Sequence, residues 1–164
     1  MTRLSGVLAF LAVAAVVSVA PGAARSEFDG KVCSLVTPTA QHTAGVTAPC
    51  VQTTARPAYL AEWGTPTSDH FLSVQVGAPT PAIAKPTLRP DPILPRPQHW
   101  KGPVLVAPGV LAYYIQSPYN GVAKAAGKMK FIDGGYLTQI GLTDTSAPAL
   151  TGMMAVARSI VARL

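Results

Sequence analysis

Prolines dominate one internal segment of this chain and restrict what that segment can form. Nine of the 16 prolines lie between residues 79 and 108. Each proline fixes its own φ and lacks a backbone N–H, so neither a helix nor a central strand tolerates this density. The sequence therefore predicts a long, extended and exposed proline-rich loop over residues 78–108. Regular structure has to come from the segments on either side.

The proline-rich loop is also basic. It carries Lys85, Arg89, Arg96 and Lys101 against Asp91 alone, which is half of the chain's net charge of +6. Only 12% of all residues are charged, about half of the roughly 25% that is usual in globular domains. With few aromatic residues as well, this composition excludes a charge-driven disordered chain and differs from that of a typical cytosolic enzyme.

The first 24 residues have the three parts of a secretory signal peptide. Arg3 gives a positive start, residues 7–20 form an apolar run, and residues 21–24 supply a break and small side chains. As a helix the run would rise about 21 Å, which is short of the ~30 Å hydrocarbon core of a membrane. We expect cleavage after Ala24, or else after Gly22, and a secreted or cell-envelope product. An uncleaved signal that anchors the protein is the alternative.

Two cysteines, Cys33 and Cys50, follow the signal. Thiols outside the cytosol tend to be oxidised and an even count indicates bridging, so we expect one disulfide. Closing a loop of this size stabilises a domain by roughly 3 kcal/mol. A redox or metal-binding pair is the alternative, although the accompanying Cys or His pattern is absent. Between the cysteines, Thr37 and Gly45 punctuate a short helix over residues 38–44.

Short apolar patterns predict the strands of an antiparallel sheet. Residues 51–54 and 59–63 are short strand candidates, and residues 70–77 alternate with the period of two that a half-buried strand requires. Residues 110–115 form a nearly continuous apolar run, as in a central strand. Residues 120–127 are ambiguous and fit a helical turn ended by glycine.

The dipeptide Asp133-Gly134 lies between two strand-like runs and favours a two-residue hairpin turn. If these two residues form the loop, Phe131 pairs with Tyr136. The pairing then divides the hairpin into a polar face and an apolar face, namely Lys128, Lys130 and Gln139 against Met129, Phe131, Tyr136, Thr138, Ile140 and Leu142. Turn chemistry and hydrophobic pattern therefore agree on which side chains point to the core.

The chain ends in an amphipathic helix. Its apolar residues recur at helical spacing, at Leu150, Met153, Met154, Ala157, Ile160, Val161 and Leu164. We therefore predict a single α+β domain over residues 25–164. Its antiparallel β-sheet is packed by this C-terminal amphipathic helix and by the short disulfide-pinned N-terminal helix, and the domain carries the long proline-rich loop.

Motifs of the common catalytic and cofactor sites are absent from the sequence. It contains no G-x-S-x-G for a serine hydrolase, no H-E-x-x-H or paired C-x-x-C for zinc, and no phosphate-binding loop. The seven acidic residues are scattered singly, so no pair fits a glycosidase. The sequence therefore nominates no catalytic residue, metal ligand or cofactor. A small secreted hydrolase that uses His70 or His99 is the alternative to a binding protein.

Binding surfaces are the remaining candidates. Trp100 stands beside the cation Lys101, a combination that stacks on a sugar or peptide or pairs with an anion. The other interpretation is that Trp100 only anchors the loop on the core. A second basic patch at Lys124, Lys128 and Lys130 is typical of a solvated face. The candidate binding residues are Arg89, Arg96, His99, Trp100, Lys101 and Tyr119.

The positive charge limits the choice of partner. Nucleic acid is a poor partner for an exported protein. Cell-wall polymer, lipid headgroups or an envelope protein would be drawn to the basic surface by weak, salt-sensitive attraction, including weak association with a membrane surface. We therefore predict a non-catalytic binding role at the cell envelope, through the proline-rich loop or a groove beside it.

Residues 33–38 (CSLVTP), followed by Gly45 and Cys50, and the closing helix over residues 150–164 resemble a family of actinobacterial cell-envelope proteins. Members of that family are exported, often as lipoproteins, and are mostly of unknown function. The resemblance implies an antiparallel sheet packed by helices and a ligand- or partner-binding role, with no catalytic residues to carry over. This chain departs from the family by lacking the lipid-bearing cysteine and by its long proline-rich insertion.

Overall fold

A computed structural model describes residues 28–55, 58–67, 70–77, 100–118, 125–144 and 149–164. These ranges contain three helices and seven strands. In chain order they are α1 (Val32–Leu35), α2 (Pro38–Thr43), β1 (Cys50–Ala55), β2 (Ala58–Trp63), β3 (Phe71–Gly77), β4 (Lys101–Ala107), β5 (Val110–Pro118), β6 (Ala125–Asp133), β7 (Tyr136–Asp144) and α3 (Ala149–Val161). The strand predictions at 51–54, 59–63, 70–77 and 110–115 are confirmed as β1, β2, β3 and β5.

All seven strands form one antiparallel sheet in the order β1-β2-β3-β7-β6-β5-β4. The first three strands pair as one meander and the last four as another, and the two meanders meet at the centre, where β3 pairs with β7. Together with α3, the short N-terminal helices and the disulfide, this architecture confirms the predicted α+β class. The proline-rich connection links the central strand β3 to the edge strand β4.

The loop of the β6–β7 hairpin lies one residue further along the chain than the sequence predicts, and the pairing partners shift by two residues. Its loop is Gly134-Gly135, so Phe131 pairs with Thr138 and the predicted pairing with Tyr136 is wrong. Both glycines have positive φ, 57° and 83°, as this kind of turn requires at both central positions. Because only glycine meets that requirement without strain, the turn takes both glycines instead of the Asp-Gly pair. The shift preserves which residues share a face, so the predicted polar and apolar faces are confirmed.

One face of the sheet is covered by helices and contains the hydrophobic core. Alternate residues of the strands point to this face, and the largest fully buried side chains among them are Trp63, Phe131, Leu72, Met129 and Ile140. The helix α3 packs across β4, β5, β6 and β7. It contributes the buried side chains Met153, Val156, Ala157 and Ile160. This burial of apolar surface is the main source of stability, and the predicted C-terminal amphipathic helix is confirmed.

The N-terminal helices are short, and local contacts define them. The predicted disulfide is present between Cys33 in α1 and Cys50 at the start of β1. The predicted helix over residues 38–44 is confirmed as α2. Thr37 caps it, since the backbone N–H of Ala40 donates to the Thr37 hydroxyl at 3.1 Å. The disulfide thus joins the helical N-terminal segment to the edge of the sheet.

A buried serine joins the same segment to α3. The hydroxyl of Ser159 donates to the carbonyl oxygen of Leu35 at 2.8 Å. The same hydroxyl accepts the backbone N–H of Thr37 at 2.9 Å. Leu35 is the last residue of α1 and Thr37 is the N-cap residue of α2, so these backbone groups are not satisfied within a helix. One side chain therefore fixes the first and last parts of the domain to each other.

The proline-rich loop is shorter than the sequence predicts. Residues 101–107 form β4, which pairs with β5 at the edge of the sheet. Pro103 is tolerated there because an edge strand has one side without strand partners. The register breaks between Lys101 and Val104, and again between Leu105 and Ala107, which accommodates the irregular backbone.

Three sequence predictions lie wholly or partly outside the described residues. These are the signal peptide over residues 1–24, the remainder of the loop over residues 78–99, and the ambiguous segment from residue 120 to residue 124. Residues 125–127 belong to β6, so a helical turn does not extend to Gly127. Within the described ranges, no helix has the length and apolar character needed to span a bilayer.

Candidate functional site

The face of the sheet opposite the helices, called the open face below, carries polar side chains at its centre. Gln75 on β3 and Gln139 on β7 are paired directly across the two central strands, and both are exposed. Two neighbouring rows of residues cross this face from β5 to β2, namely Tyr113, Lys130, Gln139, Gln75 and Leu60, and Ile115, Lys128, Gly141, Ser73 and Glu62. No helix in the described part of the chain covers these rows.

A cleft of about 230 Å³ lies in the middle of the open face and is called the Trp100 cleft below. The side chains that matter for its chemistry are Leu60, Ser73, Gln75, Trp100, Lys128 and Gln139. Gly141, opposite Ser73, also lines it, and a Cβ at this position would lie 2.7 Å from the Ser73 hydroxyl oxygen. The hydroxyl of Ser73 therefore occupies the space that a side chain at residue 141 would need.

Trp100 lies just before β4 and is half-buried. Its ring is in contact with the ammonium group of Lys130, which lies 4.2 Å from the ring centroid. Trp63, by contrast, is 2% exposed and belongs to the hydrophobic core. Of the two sequence interpretations of Trp100, the structure favours the one in which the ring faces a groove, because Trp100 lines the cleft and is not part of the core.

The cation beside Trp100 is not the one that the sequence suggests. Lys101 is paired with Tyr114, which is paired in turn with the core residue Met129. Residues opposite each other in a sheet share a face, so Lys101 starts on the helix-covered side while Trp100 lines the open face. Alternation along the strand separates the two sequence neighbours, and Lys130 of β6 takes the place expected for Lys101.

Most of the predicted binding residues lie outside the described residues. This applies to Arg89, Arg96, His99 and Tyr119, whose binding role stays a prediction. His70 is exposed immediately before β3 and does not line the cleft. Within the described ranges, no group of three or more His, Cys, Asp or Glu side chains could hold a metal ion.

Sequence reasoning missed the polar centre of the cleft, which consists of Ser73, Gln75 and Gln139. Part of the signal was present, because the alternation over residues 70–77 places Ser73 and Gln75 away from the core and the hairpin pattern places Gln139 on its polar face. What the sequence does not contain is the order of the strands. Only the pairing of β3 with β7 brings these side chains together.

The side chains of Ser73, Gln75 and Gln139 make no hydrogen bond with any residue that the structure describes. Each amide offers two donors and one carbonyl acceptor, and the hydroxyl offers a donor and an acceptor. Among the described residues, these donors and acceptors have no partner that would compete with a ligand. No histidine in the described part of the chain lines the cleft beside Ser73.

An ionisable group with a shifted pKa lies away from the cleft. The backbone N–H of Lys31 donates to the Asp29 carboxylate at 2.9 Å, and the Lys31 ammonium forms an ion pair with it at 3.0 Å. These contacts, the backbone hydrogen bond foremost, lower the pKa of Asp29 below its usual value. Both side chains are exposed, so this pair is a surface contact of the N-terminal segment.

No family model, curated protein sequence or solved structure matches this chain. The resemblance to actinobacterial cell-envelope proteins therefore rests on the short sequence motifs and stays a prediction.

Proposed function

We propose that this protein is an exported, non-catalytic binding protein of the cell envelope, and that the Trp100 cleft is its ligand site. The observation that carries the proposal is a group of polar side chains without hydrogen bonds to the described residues, namely Ser73, Gln75 and Gln139. They lie beside a half-buried tryptophan on a sheet face that no described helix covers. Exposed polar groups of this kind cost the fold no stability. A binding site uses a few of them to orient its ligand.

Export is supported by two independent features. The first 24 residues have the charge, apolar run and small residues of a secretory signal. The disulfide between Cys33 and Cys50 belongs to an oxidising compartment, since such bonds are rare in the cytosol. The predicted membership of an actinobacterial envelope family agrees with both features.

The chemistry of the cleft favours cell-wall polymer over lipid or partner protein as the ligand. Tryptophan stacks on the apolar face of a sugar ring, while amides and a hydroxyl exchange hydrogen bonds with sugar hydroxyls. The cleft volume of about 230 Å³ lies below the ~300–1,000 Å³ of pockets that enclose drug-sized ligands, and it suits one ring unit of a chain.

Retention on isolated cell-wall material tests this proposal. We expect the purified protein to be retained on cell-wall fractions and released by soluble wall fragments. Trp100→Ala should weaken retention by about tenfold or more. The comparable stacking of a nucleic-acid base on an aromatic side chain is worth ~1–3 kcal/mol. Lys101→Ala is the matched control, since the neighbouring residue lies on the other side of the sheet.

The outcomes separate the alternatives. Loss of retention in Trp100→Ala with full retention in Lys101→Ala supports the cleft as the ligand site. Equal retention of both variants and the wild type contradicts it. Retention on anionic lipid vesicles that is abolished by salt, with none on wall material, would replace the polymer by a membrane surface as the partner.

A further inference from the structure

The two edge strands of the sheet differ in how they resist the addition of another strand. The β4 edge contains Pro103, which has no backbone N–H to donate, and Gly102, whose φ is 119°. Its pairing with β5 is interrupted twice, between Lys101 and Val104 and between Leu105 and Ala107. Proline and irregular backbone at an edge prevent a second chain from pairing there.

The β1 edge has none of these protective features. All six of its residues pair with β2 without a break in register. The strand, CVQTTA, contains no proline and no charged residue. Val51 is 64% exposed, the largest exposed fraction among the large hydrophobic residues described, and Gln52 and Thr53 are exposed as well. A regular, uncharged and partly apolar edge is a surface for strand addition.

The described N-terminal segment, which begins at residue 28, does not cover this edge. The amide of Gln52 donates to the Gly30 carbonyl at 2.6 Å and accepts the Cys33 backbone N–H at 3.2 Å. Gln52 is paired with the core residue Ala61, so these contacts lie on the helix-covered face. The helix α1 itself packs across β1, β2 and β3. The segment therefore lies over the face of the sheet, and no other element in the described part of the chain packs on the outer side of β1.

We propose that β1 is a self-association surface, on which two copies of this chain pair β1 with β1 in antiparallel orientation about a twofold axis. The two edges together decide the symmetry. Pairing β1 with the β4 edge of another copy would build a ring or an open filament, but Pro103 and the register breaks of β4 block it. Pairing β1 with β1 uses the unprotected edge of each copy, so no unprotected edge is left and the assembly stops at a dimer.

The side chains of β1 are compatible with this pairing. Val51 and Thr53 lie on the open face, because they pair with Glu62 and Leu60. Opposed residues in an antiparallel pair share a face. One symmetric register places Gln52 opposite its own copy and Val51 opposite Thr53. No like charges meet at this seam. The twofold axis stands normal to the sheet, and the two Trp100 clefts therefore open on the same side of the dimer.

The small area buried by one strand pair determines how tightly the two copies should bind each other. A single six-residue pair buries less than the roughly 1,200–2,000 Å² of a standard interface. We therefore expect a weak dimer, with a dissociation constant in the micromolar range or weaker. At the high local concentration of an envelope surface, such a dimer would present two clefts to one polymer and so strengthen binding by avidity.

Sedimentation velocity of the purified protein over a range of concentrations tests the proposal. We expect a concentration-dependent monomer–dimer equilibrium for the wild type. Val51→Lys combined with Thr53→Lys places lysines opposite lysines across the seam and should weaken association by about tenfold or more. Leu105→Lys is the matched control, because Leu105 is 60% exposed on the opposite edge. That variant should associate like the wild type.

A charge-reversal mixture makes the test specific to β1. The glutamate pair, Val51→Glu with Thr53→Glu, should be monomeric alone and should form a mixed dimer with the lysine pair. Denaturation midpoints close to that of the wild type establish that both variants are folded. A wild type that stays monomeric at millimolar concentration overturns the proposal. So does a dimer that persists in the lysine pair, that disappears in Leu105→Lys, or that is not restored by mixing.

Discussion

Along each strand, successive side chains point alternately to the helix-covered face and to the open face of the sheet. The side chains of the two faces have different surroundings. Phe131 on β6 is completely buried against the helices, whereas its neighbour Lys130 contacts the ring of Trp100 on the other side. The covered face is filled by close packing within the chain. The open face keeps polar groups whose partners in the described part of the chain are few or absent.

This difference separates stability from binding. Side chains on the covered face lose contacts with many neighbours when they are truncated, so their replacement lowers the free energy of unfolding. Side chains at the centre of the open face lose little within the protein, so their replacement changes binding and leaves the fold intact. Four variants, two of them double substitutions, test this division, from the largest expected effect on stability to the smallest.

The largest effect is expected for Phe131→Ala, at the centre of the covered face. The side chain is fully buried, so its removal leaves a cavity and should lower the free energy of unfolding by about 3–5 kcal/mol in urea denaturation. Lys130→Ala is the control on the open face. It removes a cation–π contact and should cost about 1 kcal/mol or less. Equal losses in the two variants would contradict the division between the faces.

The next effect is expected for the disulfide at the side of the covered face. Replacing both Cys33 and Cys50 by serine opens a loop with a sequence separation of 17 and should lower the free energy of unfolding by roughly 3 kcal/mol. A reductant should produce a similar decrease in the wild type and none in the double variant. If the reductant left the wild type unchanged under unfolding conditions, the predicted contribution of the disulfide would be wrong.

A smaller effect is expected for Ser159→Ala, which removes the hydroxyl between α3 and the N-terminal segment. The Thr37 N–H and the Leu35 carbonyl lose their partner, and leaving such groups unsatisfied costs about 1–3 kcal/mol. Ser34→Ala is the matched control, since its hydroxyl donates to a carbonyl at an exposed position. We expect that control to stay within ~0.5 kcal/mol of the wild type. Chemical denaturation of both variants measures the difference.

The covered face was largely predictable from the sequence because packing leaves a periodic pattern. The spacing of Met153, Ala157 and Ile160 predicts the closing helix, and all three are buried. The alternation of residues 70–77 predicts β3 in the same way. The hairpin shows where a local rule is ambiguous, since Asp-Gly and Gly-Gly both fit a tight turn and only the second gives positive φ at both positions without strain.

The open face was less predictable because it depends on strand order, which is a long-range property. Ser73 and Gln139 are far apart in the sequence, and only the pairing of β3 with β7 makes them neighbours. The cation–π contact of Trp100 with Lys130 depends on β4 lying at the edge of the sheet. The prolines of the sequence predict a loop where β4 forms. Local propensity was overruled there because an edge strand tolerates proline on its outer side.

The smallest effect on stability is expected for Gln75→Ala combined with Gln139→Ala, at the centre of the open face. Both amides are exposed and bond to no described residue, so the double variant should unfold within ~0.5 kcal/mol of the wild type. Its retention on cell-wall material should nevertheless fall by about tenfold, because each lost hydrogen bond to a ligand contributes about 0.5–1.5 kcal/mol. Measuring unfolding and retention on the same preparation separates the two roles. A variant that loses stability and keeps its retention would show that the amides support the fold, and the division between the two faces would then fail at the place where it is sharpest.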